Sequence, residues 1–436
     1  MAMSSRLHIQ KVLLLVLLSV LLVVTWSPLP AAAQTDTKST SSTDFWHQKY
    51  LLGDWGGART RLEEKGVKFD FHYISDFLYN TEGGRQQRAN YWDRVRGTMD
   101  IDFGKLANLQ GLSFHITGLW QGGVSSAGTL GSLAGPSSIT SIHTTRLDSF
   151  WFQQDMFNKK LSVRAGQFAG QDFYGVQNLG GNYILEPLGY AFGNLFNDYE
   201  QYDPVSGPAA EIKIAPIRQF YYRAMVSSGN RNPGIDDDNG FHFVKHDSGV
   251  FLNEVGFMVD QPGGTTTKEK YYPGLYKVGS SYNGGKFTDP FSGKVNGGNY
   301  LVYFMATQAV FRPEAGSNKG LDVNFGADFS PNEAYNMVDK QFTGGLSYTG
   351  LIPQRSKDIV SFGFVYSNVS DIFSSEFANS GLLNPRLGSE KAFDINYLTQ
   401  VTPWLILQPV VEVFSDLGGV SNQTGVVAGF RTKVTF

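Results

Sequence analysis

The last twelve residues, Gly425-Val-Val-Ala-Gly-Phe-Arg-Thr-Lys-Val-Thr-Phe436, alternate in character. Val426, Ala428, Phe430, Thr432, Val434 and Phe436 fall on one side; Val427, Gly429, Arg431, Lys433 and Thr435 fall on the other. Successive side chains of a strand point to opposite faces, so this is a ribbon with one largely apolar and one mostly polar face. The apolar face runs out to a phenylalanine, the last residue. Terminal residues of a soluble domain usually fray in water. A strand of a membrane barrel stays ordered, because its apolar side meets lipid and its aromatic end sits in the interface girdle. The competing reading of this stretch is the edge strand of a soluble sandwich.

Composition separates the two. The 436 residues include 50 Gly, 33 Phe, 21 Tyr and no Cys, with 17% charged. That charge is low for a soluble protein, where about a quarter is usual. After the first thirty-odd residues there is no apolar run of the roughly 20 residues a spanning helix needs. Apolar residues interleaved with polar ones, rather than blocked together, are the mark of a barrel in an outer membrane. Without cysteine there is no disulfide and no thiolate metal site or nucleophile.

The front of the chain reads as an export signal over 1–33. Arg6 and Lys11 precede the apolar run Val12–Val24; Pro28 and Pro30 break it; Ala31-Ala32-Ala33 offers a cleavage site before Gln34. The net charge of −3 becomes more negative once that leader is removed, which excludes a basic nucleic-acid binder. Residues 34–66 form an extension: a Ser/Thr-rich stretch, then a short helix with Asp54 as its cap and Gly66 as its stop. A helix of about ten residues is unstable alone, so it must lean on the barrel's periplasmic rim.

From Val67 to Phe436 the pattern predicts an all-β, transmembrane antiparallel barrel of about sixteen strands. Clear period-two segments are 67–73, 95–103, 161–168, 210–214, 220–226, 251–259, 321–329, 360–366 and 393–401; 111–121, 147–154, 274–283, 299–311, 339–349, 404–414 and the closing strand complete the set. Connections after odd strands are mostly long (80–94, 122–146, 169–207, 228–250, 284–298, 368–389) and those after even strands mostly short. Long outer loops and short periplasmic turns are the barrel pattern. Two connections, 260–273 and 330–338, break the alternation, and a miscounted strand pair is expected near them.

The polar strand faces nominate lumen residues: Arg96, Asp100, Asp102, Arg164, Glu211, Lys213, Arg223, Glu254, Glu412 and Arg431, with Asp70, Asp322, Asp394 and Lys433 beside them. Both signs are present. A strongly cationic lumen would select anions; a mixed one suits polar neutral solutes such as sugars, whose hydroxyls bond charged groups and whose C–H faces pack on aromatic rings. The connection 169–207 is the longest and the most aromatic. Sixteen strands leave a wide aqueous channel, and this loop folded inward would narrow it; folded outward it would be a lid. The Gly/Ser-rich stretch 122–146 reads as a flexible outer loop. Asp236-Asp237-Asp238-Asn239-Gly240 lacks the spacing and closing Glu of a calcium loop, and His246-Asp247-Ser248 cannot make a triad in an extended segment. There is no G-x-S-x-G, no H-E-x-x-H and no phosphate-binding glycine loop; neither enzyme activity nor a cofactor or metal is expected.

Two stretches carry a family resemblance. Gly53-Asp54-Trp55-Gly56-Gly57-x-Arg59-x-x-Leu62-x-x-x-Gly66 resembles the N-terminal signature of the carbohydrate-selective porins of the OprB family. Val401-Thr402-Pro403-Trp404-Leu405-x-Leu407-Gln408-Pro409, with Gly429-Phe430-Arg431 and Phe436, is similar to its closing strands. Gly166-Gln167 and Gly207-Pro208-Ala209-Ala210 also fit. The resemblance implies a sixteen-stranded channel of the Gram-negative outer membrane, passing monosaccharides or small oligosaccharides of the glucose type by passive diffusion. A general or other-substrate porin is the alternative, and an outer-membrane barrel enzyme a more distant one. Expected partners are permeating sugars, outer-membrane lipid and the barrel-assembly machinery, with a homotrimer as one option for assembly.

Overall fold

The computed structural model describes residues 44–191, 202–229, 239–241, 248–259, 271–381 and 384–436. The leader, the Asp236–Asp238 run, His246, Asp247, and Phe192, Phe196, Asp198, Tyr199 and Glu200 of the long loop lie outside these residues, as does most of 260–273.

Sixteen strands close on themselves, each pairing antiparallel with its neighbours in sequence, and the last with the first. They are β1 (Val67–Gly83), β2 (Ala89–Asp102), β3 (Leu112–Gly123), β4 (Thr144–Met156), β5 (Leu161–Phe168), β6 (Gly207–Ile217), β7 (Phe220–Ser228) and β8 (Gly249–Val259). The second half is β9 (Gly274–Thr288), β10 (Val295–Phe311), β11 (Gly320–Phe329), β12 (Val338–Thr349), β13 (Ile359–Val369), β14 (Ser389–Thr402), β15 (Leu405–Ser415) and β16 (Thr424–Thr435). Every segment predicted as a strand is one, and no pair is miscounted near 260–338. The error lies in the ends. β1 continues through Asn80, Thr81 and Gly83, and β9 and β10 reach Thr288 and Val295, so the connections predicted at 80–94 and 284–298 shrink to 84–88 and 289–294. Period-two contrast disappears there because the ladder continues beyond the bilayer, where neither face needs to be apolar.

The closing strand sets the orientation of the wall. Phe77 lies opposite Phe430 and Asp76 opposite Arg431. The Phe77 and Phe430 rings are exposed and stack at 5.7 Å, whereas Asp76 and Arg431 are buried inside. Large apolar side chains stay exposed around the outer wall, among them Phe152, Val226, Phe251, Val278, Tyr282, Phe304 and Phe362. In water this would be an aggregating surface; in lipid it is the favoured one.

Residues 44–66 bind the seam where β1 meets β16. Helix α1 (Ala58–Glu64) follows a 3-10 turn at Trp55–Gly57, and its N-cap is Gly57 rather than the expected Asp54. Asp54 still serves the helix start, its Oδ1 accepting from the Thr60 backbone N–H at 2.9 Å. Gly66 ends the segment at φ +91°, where a Cβ would sit 2.6 Å from the Asp102 carbonyl. Buried Arg59 donates to the carbonyls of Phe436 (2.8 Å) and Phe69 (3.2 Å), with its guanidinium over the rings of Tyr50 and Trp55.

Candidate functional site: a collar inside the barrel

The connection between β5 and β6 folds inward. Its segment 175–191 closes on itself: Val176 bridges Tyr190, Gln177 N–H donates to Gly189, and the Ala191 N–H donates to Gly175. Gly180 is required there, since a Cβ would lie 2.7 Å from Gly189 Cα.

From β7 to β15 this loop is fastened to the wall at almost every strand. Arg223 on β7 donates to the Phe173 carbonyl at 2.8 Å. Glu254 on β8 accepts from Gly175 N–H at 3.1 Å, and Lys277 on β9 donates to the Val176 carbonyl. Thr307 on β10 donates to Gln177 at 2.5 Å. Tyr183 donates to Asn324 on β11 and accepts from Ser347 on β12. Asp394 on β14 accepts from the N–H groups of Ile184 (2.9 Å) and Leu185 (3.0 Å), and Gln408 on β15 donates to the Asn182 carbonyl.

The connection between β3 and β4 completes the circuit, against its reading as a flexible outer loop. After helix α2 (Phe103–Ala107) in a periplasmic turn and helix α3 (Ser126–Leu130) at this loop's start, residues 133–142 run inside the barrel. Leu133 and Ala134 N–H groups donate to Glu390 on β14. Ser137 donates to Asp76 on β1, and Arg431 on β16 donates to Ser138. Arg94 on β2 donates to the Ile139 carbonyl, and Gln121 on β3 to that of Ile142. Small residues let this backbone lie flat on the wall, and inward carboxylates take up donors that would otherwise be orphaned.

The two loops form a collar whose apolar side chains build a dry core against one part of the wall: Leu78, Leu130, Ala134, Tyr183, Ile184, Leu185, Leu188, Val365, Val410, Phe414 and Val427. Wall glycines are its seats. A Cβ on Gly345 would meet the Tyr183 hydroxyl at 2.1 Å, and one on Gly363 would meet Leu188 at 2.3 Å. Below the loop, a cavity of about 530 Å³ between Asn178, Asn182 and the β8–β13 wall continues the lumen downward.

The wall from β2 to β7 carries the open polar groups. His115 Nδ1 lies 2.7 Å from Asp100 Oδ1, and the His115 ring stacks on Trp151 at 4.7 Å. Arg164 sits with its guanidinium 4.5 Å from the Trp151 ring and 3.9 Å from the Phe173 ring. A ladder Asp100–His115–Trp151–Arg164–Phe173 therefore climbs from the lower lumen to the collar. At collar level Asp203 pairs with Arg94 at 2.7 Å and with Arg96, and Arg96 lies 3.6 Å from Asp148. Burial alone would raise the Asp203 carboxyl; Arg94 and Arg96 hold it down at about 2.

Against this geometry the sequence list divides. Arg96, Asp100, Arg164, Lys213 and Arg223 sit on the half-open wall. Glu211 lies behind Arg164, 3.6 Å from its Nη1, and is buried. Glu254 is buried and faces the collar, accepting from Tyr221 and Tyr303 as well as Gly175. Arg431 is clamped on Asp76 at 2.7 Å, and Glu412 is wholly buried under the collar. Asp102 caps α2, accepting from Gly104 and Lys105 N–H. These five therefore do not face a passing solute, because inward-pointing strand positions are shared between lumen and loop. Of the neighbours, Asp394 is a collar clip, Asp70 bonds His72 and Asp322 bonds Arg312. Four residues escaped the sequence reading: Arg94, His115, Trp151 and Asp148. Arg94 fell in a supposed loop, although Arg94 and Arg96 share strand parity. Trp151 and Asp148 were hidden by the register shift opposite Thr117/Gly118, which reverses the alternation along β4.

A closed barrel greasy outside, wet inside and narrowed by inward loops is a passive diffusion channel of an outer membrane. The model of the family "Carbohydrate-selective porin, OprB family" matches residues 86–436. The chain is 24% identical over 430 residues to Porin B of Pseudomonas aeruginosa, covering 89% of this chain and 92% of that protein. It is 25% identical over 452 residues to the putative porin QuiX of Acinetobacter baylyi, covering 94% and 98%. The high-pH structure of Pseudomonas putida OprB superposes with a TM-score of 0.80 at 23% identity, covering 90% of this chain and all of that one, which shows a common fold. The chain belongs to the OprB family of carbohydrate-selective porins and is a protein of the Gram-negative outer membrane.

Proposed function

We propose that the permeating solutes are monosaccharides or small oligosaccharides of the glucose type, passing between the collar and the β2–β7 wall. The observation that carries this is the ladder at Arg164. One charged group is held flat between two aromatic faces, beside a second cation–carboxylate set at Arg96 and Asp203. Rings present a surface for the apolar C–H side of a sugar, and guanidinium and carboxylate groups exchange hydrogen bonds with its hydroxyls; neither feature selects net charge. Solutes move down their gradient, and no bond is made or broken.

Planar-bilayer conductance with a sugar panel tests this. Glucose-sized sugars should block ion current reversibly, Arg164→Ala should weaken the block, and excising 176–190 should raise conductance. Equal liposome swelling rates for sugars and for amino acids of the same size would instead make this a general porin.

For assembly, the row Asp93–Ser75–Thr432 on β2, β1 and β16 points outward, with Tyr73 and Tyr91 donating to Asp93. A carboxylate on a lipid-facing wall favours cover by protein, so we place the contact of a homotrimer there; native mass spectrometry of the detergent-extracted protein reads the number of copies. The assembly machinery is expected to take up β16 and its terminal Phe436.

A further inference from the structure

The short-turn rim is built differently from the long-loop rim. The turns at 103–111, 157–160, 218–219, 312–319, 350–358 and 403–404 hold eight Lys and Arg against two carboxylates, Glu314 and Asp358, while the 44–66 segment on the same rim is balanced at four against four. Asp358 is buried and paired with Arg355 at 2.6 Å. The opposite rim does not share this bias: its short connections 84–88, 289–294, 330–337, 370–388 and 416–423 hold five carboxylates against four Lys and Arg.

Three of the cationic turns also expose a large apolar side chain. Lys105 adjoins Leu106, Lys159 and Lys160 follow Phe157, and Lys357 shares its turn with Leu351; all seven side chains are exposed. Phe157 is 74% exposed, at a position with φ +52°. A buried role does not explain a phenylalanine there, and neither does a turn propensity.

The rings of the outer wall run onto this rim without a break. Phe114 on β3 touches Phe152 on β4 at 4.8 Å, and Phe152 stacks on Phe103 of α2 at 6.5 Å. Phe69 and Phe71 on β1 reach Trp55, and Trp404 of the last turn packs on Phe45 and Trp46. The lipid-facing girdle therefore continues onto the turns and the 44–57 segment, with ammonium groups spaced around it.

We propose that this rim is a docking surface for the anionic phospholipids of the inner leaflet, the apolar residues dipping among acyl chains and the lysines binding phosphate headgroups. Charge complementarity and continuity with the lipid-facing wall favour lipid over a polymer. An anionic polysaccharide would match the lysines but would leave Phe157, Leu106 and Leu351 in water. Lysines near an anionic surface attract it over about a Debye length.

The test uses the full chain, refolded and reconstituted in bilayers of equimolar phosphatidylglycerol and phosphatidylcholine. Annular lipid composition is read by native mass spectrometry, and proximity by quenching of rim tryptophans with brominated phosphatidylglycerol. Phosphatidylglycerol should be enriched roughly fivefold, with the preference lost at high ionic strength. The variant K105Q/K159Q/K160Q/K357Q should lose it while keeping wild-type conductance and sugar block. No enrichment in the wild type, enrichment unchanged in the variant, or binding to purified peptidoglycan sacculi in place of phosphatidylglycerol would each overturn the proposal. Because conductance and sugar block are read separately, failure here leaves the solute assignment untouched, and the reverse also holds.

Discussion

Asp203, where the collar returns to the wall, lies 2.7 Å from Arg94 and also bonds Arg96, joining the inward loop to β2. Arg94 in turn holds the other loop through the Ile139 carbonyl. One arginine thus fastens both halves of the constriction. Removing one partner of a largely buried pair strands the other, at a cost of roughly 3–5 kcal/mol. Asp203→Asn should free the collar edge, with higher and noisier single-channel conductance and an unchanged heat-modifiable shift on gels.

The same pair sets an acid limit. The carboxyl is held at about 2, below its ordinary 3.8. A depressed acid stabilises the fold fully above its unfolded value and loses that contribution as pH falls through the folded one. The contribution of Asp203 should therefore be lost between about pH 4 and 2, with a rise in wild-type conductance over that window. Asp203→Asn, already released, should show no such step.

Arg164 is held between Trp151 and Phe173 with Gln153 accepting from its Nε and Nη2. Its planar group can stack; an ammonium cannot. Arg164→Lys should keep the charge and the ion selectivity, yet lose roughly 1 kcal/mol of sugar interaction, about fivefold in the blocking constant. Equal sugar block in wild type and Arg164→Lys would leave charge alone as the determinant.

Gly345 is a seat for the collar. A side chain there meets Tyr183, whose hydroxyl bonds Asn324 and accepts from Ser347. Gly345→Val should displace Tyr183 at a cost of about 1–3 kcal/mol. The collar then loosens while the lipid-facing wall stays intact. Protease accessibility of the 169–206 segment, measured on reconstituted protein, should rise.

Arg59 closes the seam between the first and last strands. Arg59→Ala removes two charge-assisted hydrogen bonds and two ring contacts, for a loss of about 2–4 kcal/mol. The temperature at which the folded band disappears on gels should fall, with no change in sugar block, because Arg59 lies on the rim and not in the lumen.

The alternation at Gly425–Phe436 was enough to orient the wall, and the same rule found all sixteen strands, because a membrane strand has one lipid face and one aqueous face everywhere along its span. The two rims could also be read, since outer loops are long and inner turns short. The lumen was harder. Asp100 and Glu254 look alike in the sequence, each a charged residue on the inner parity of a strand, yet one faces water and the other holds a loop. Nothing local distinguishes them, for the difference is made by a segment roughly eighty residues away in the chain from each. The path of 169–191 around the inside depends on Gly345 and Gly363 leaving room and on Glu254 and Asp394 accepting loop N–H groups. Those partners meet only when the barrel has closed. Periodicity therefore determined the cylinder, and tertiary contact decided which of its inward groups a solute can reach.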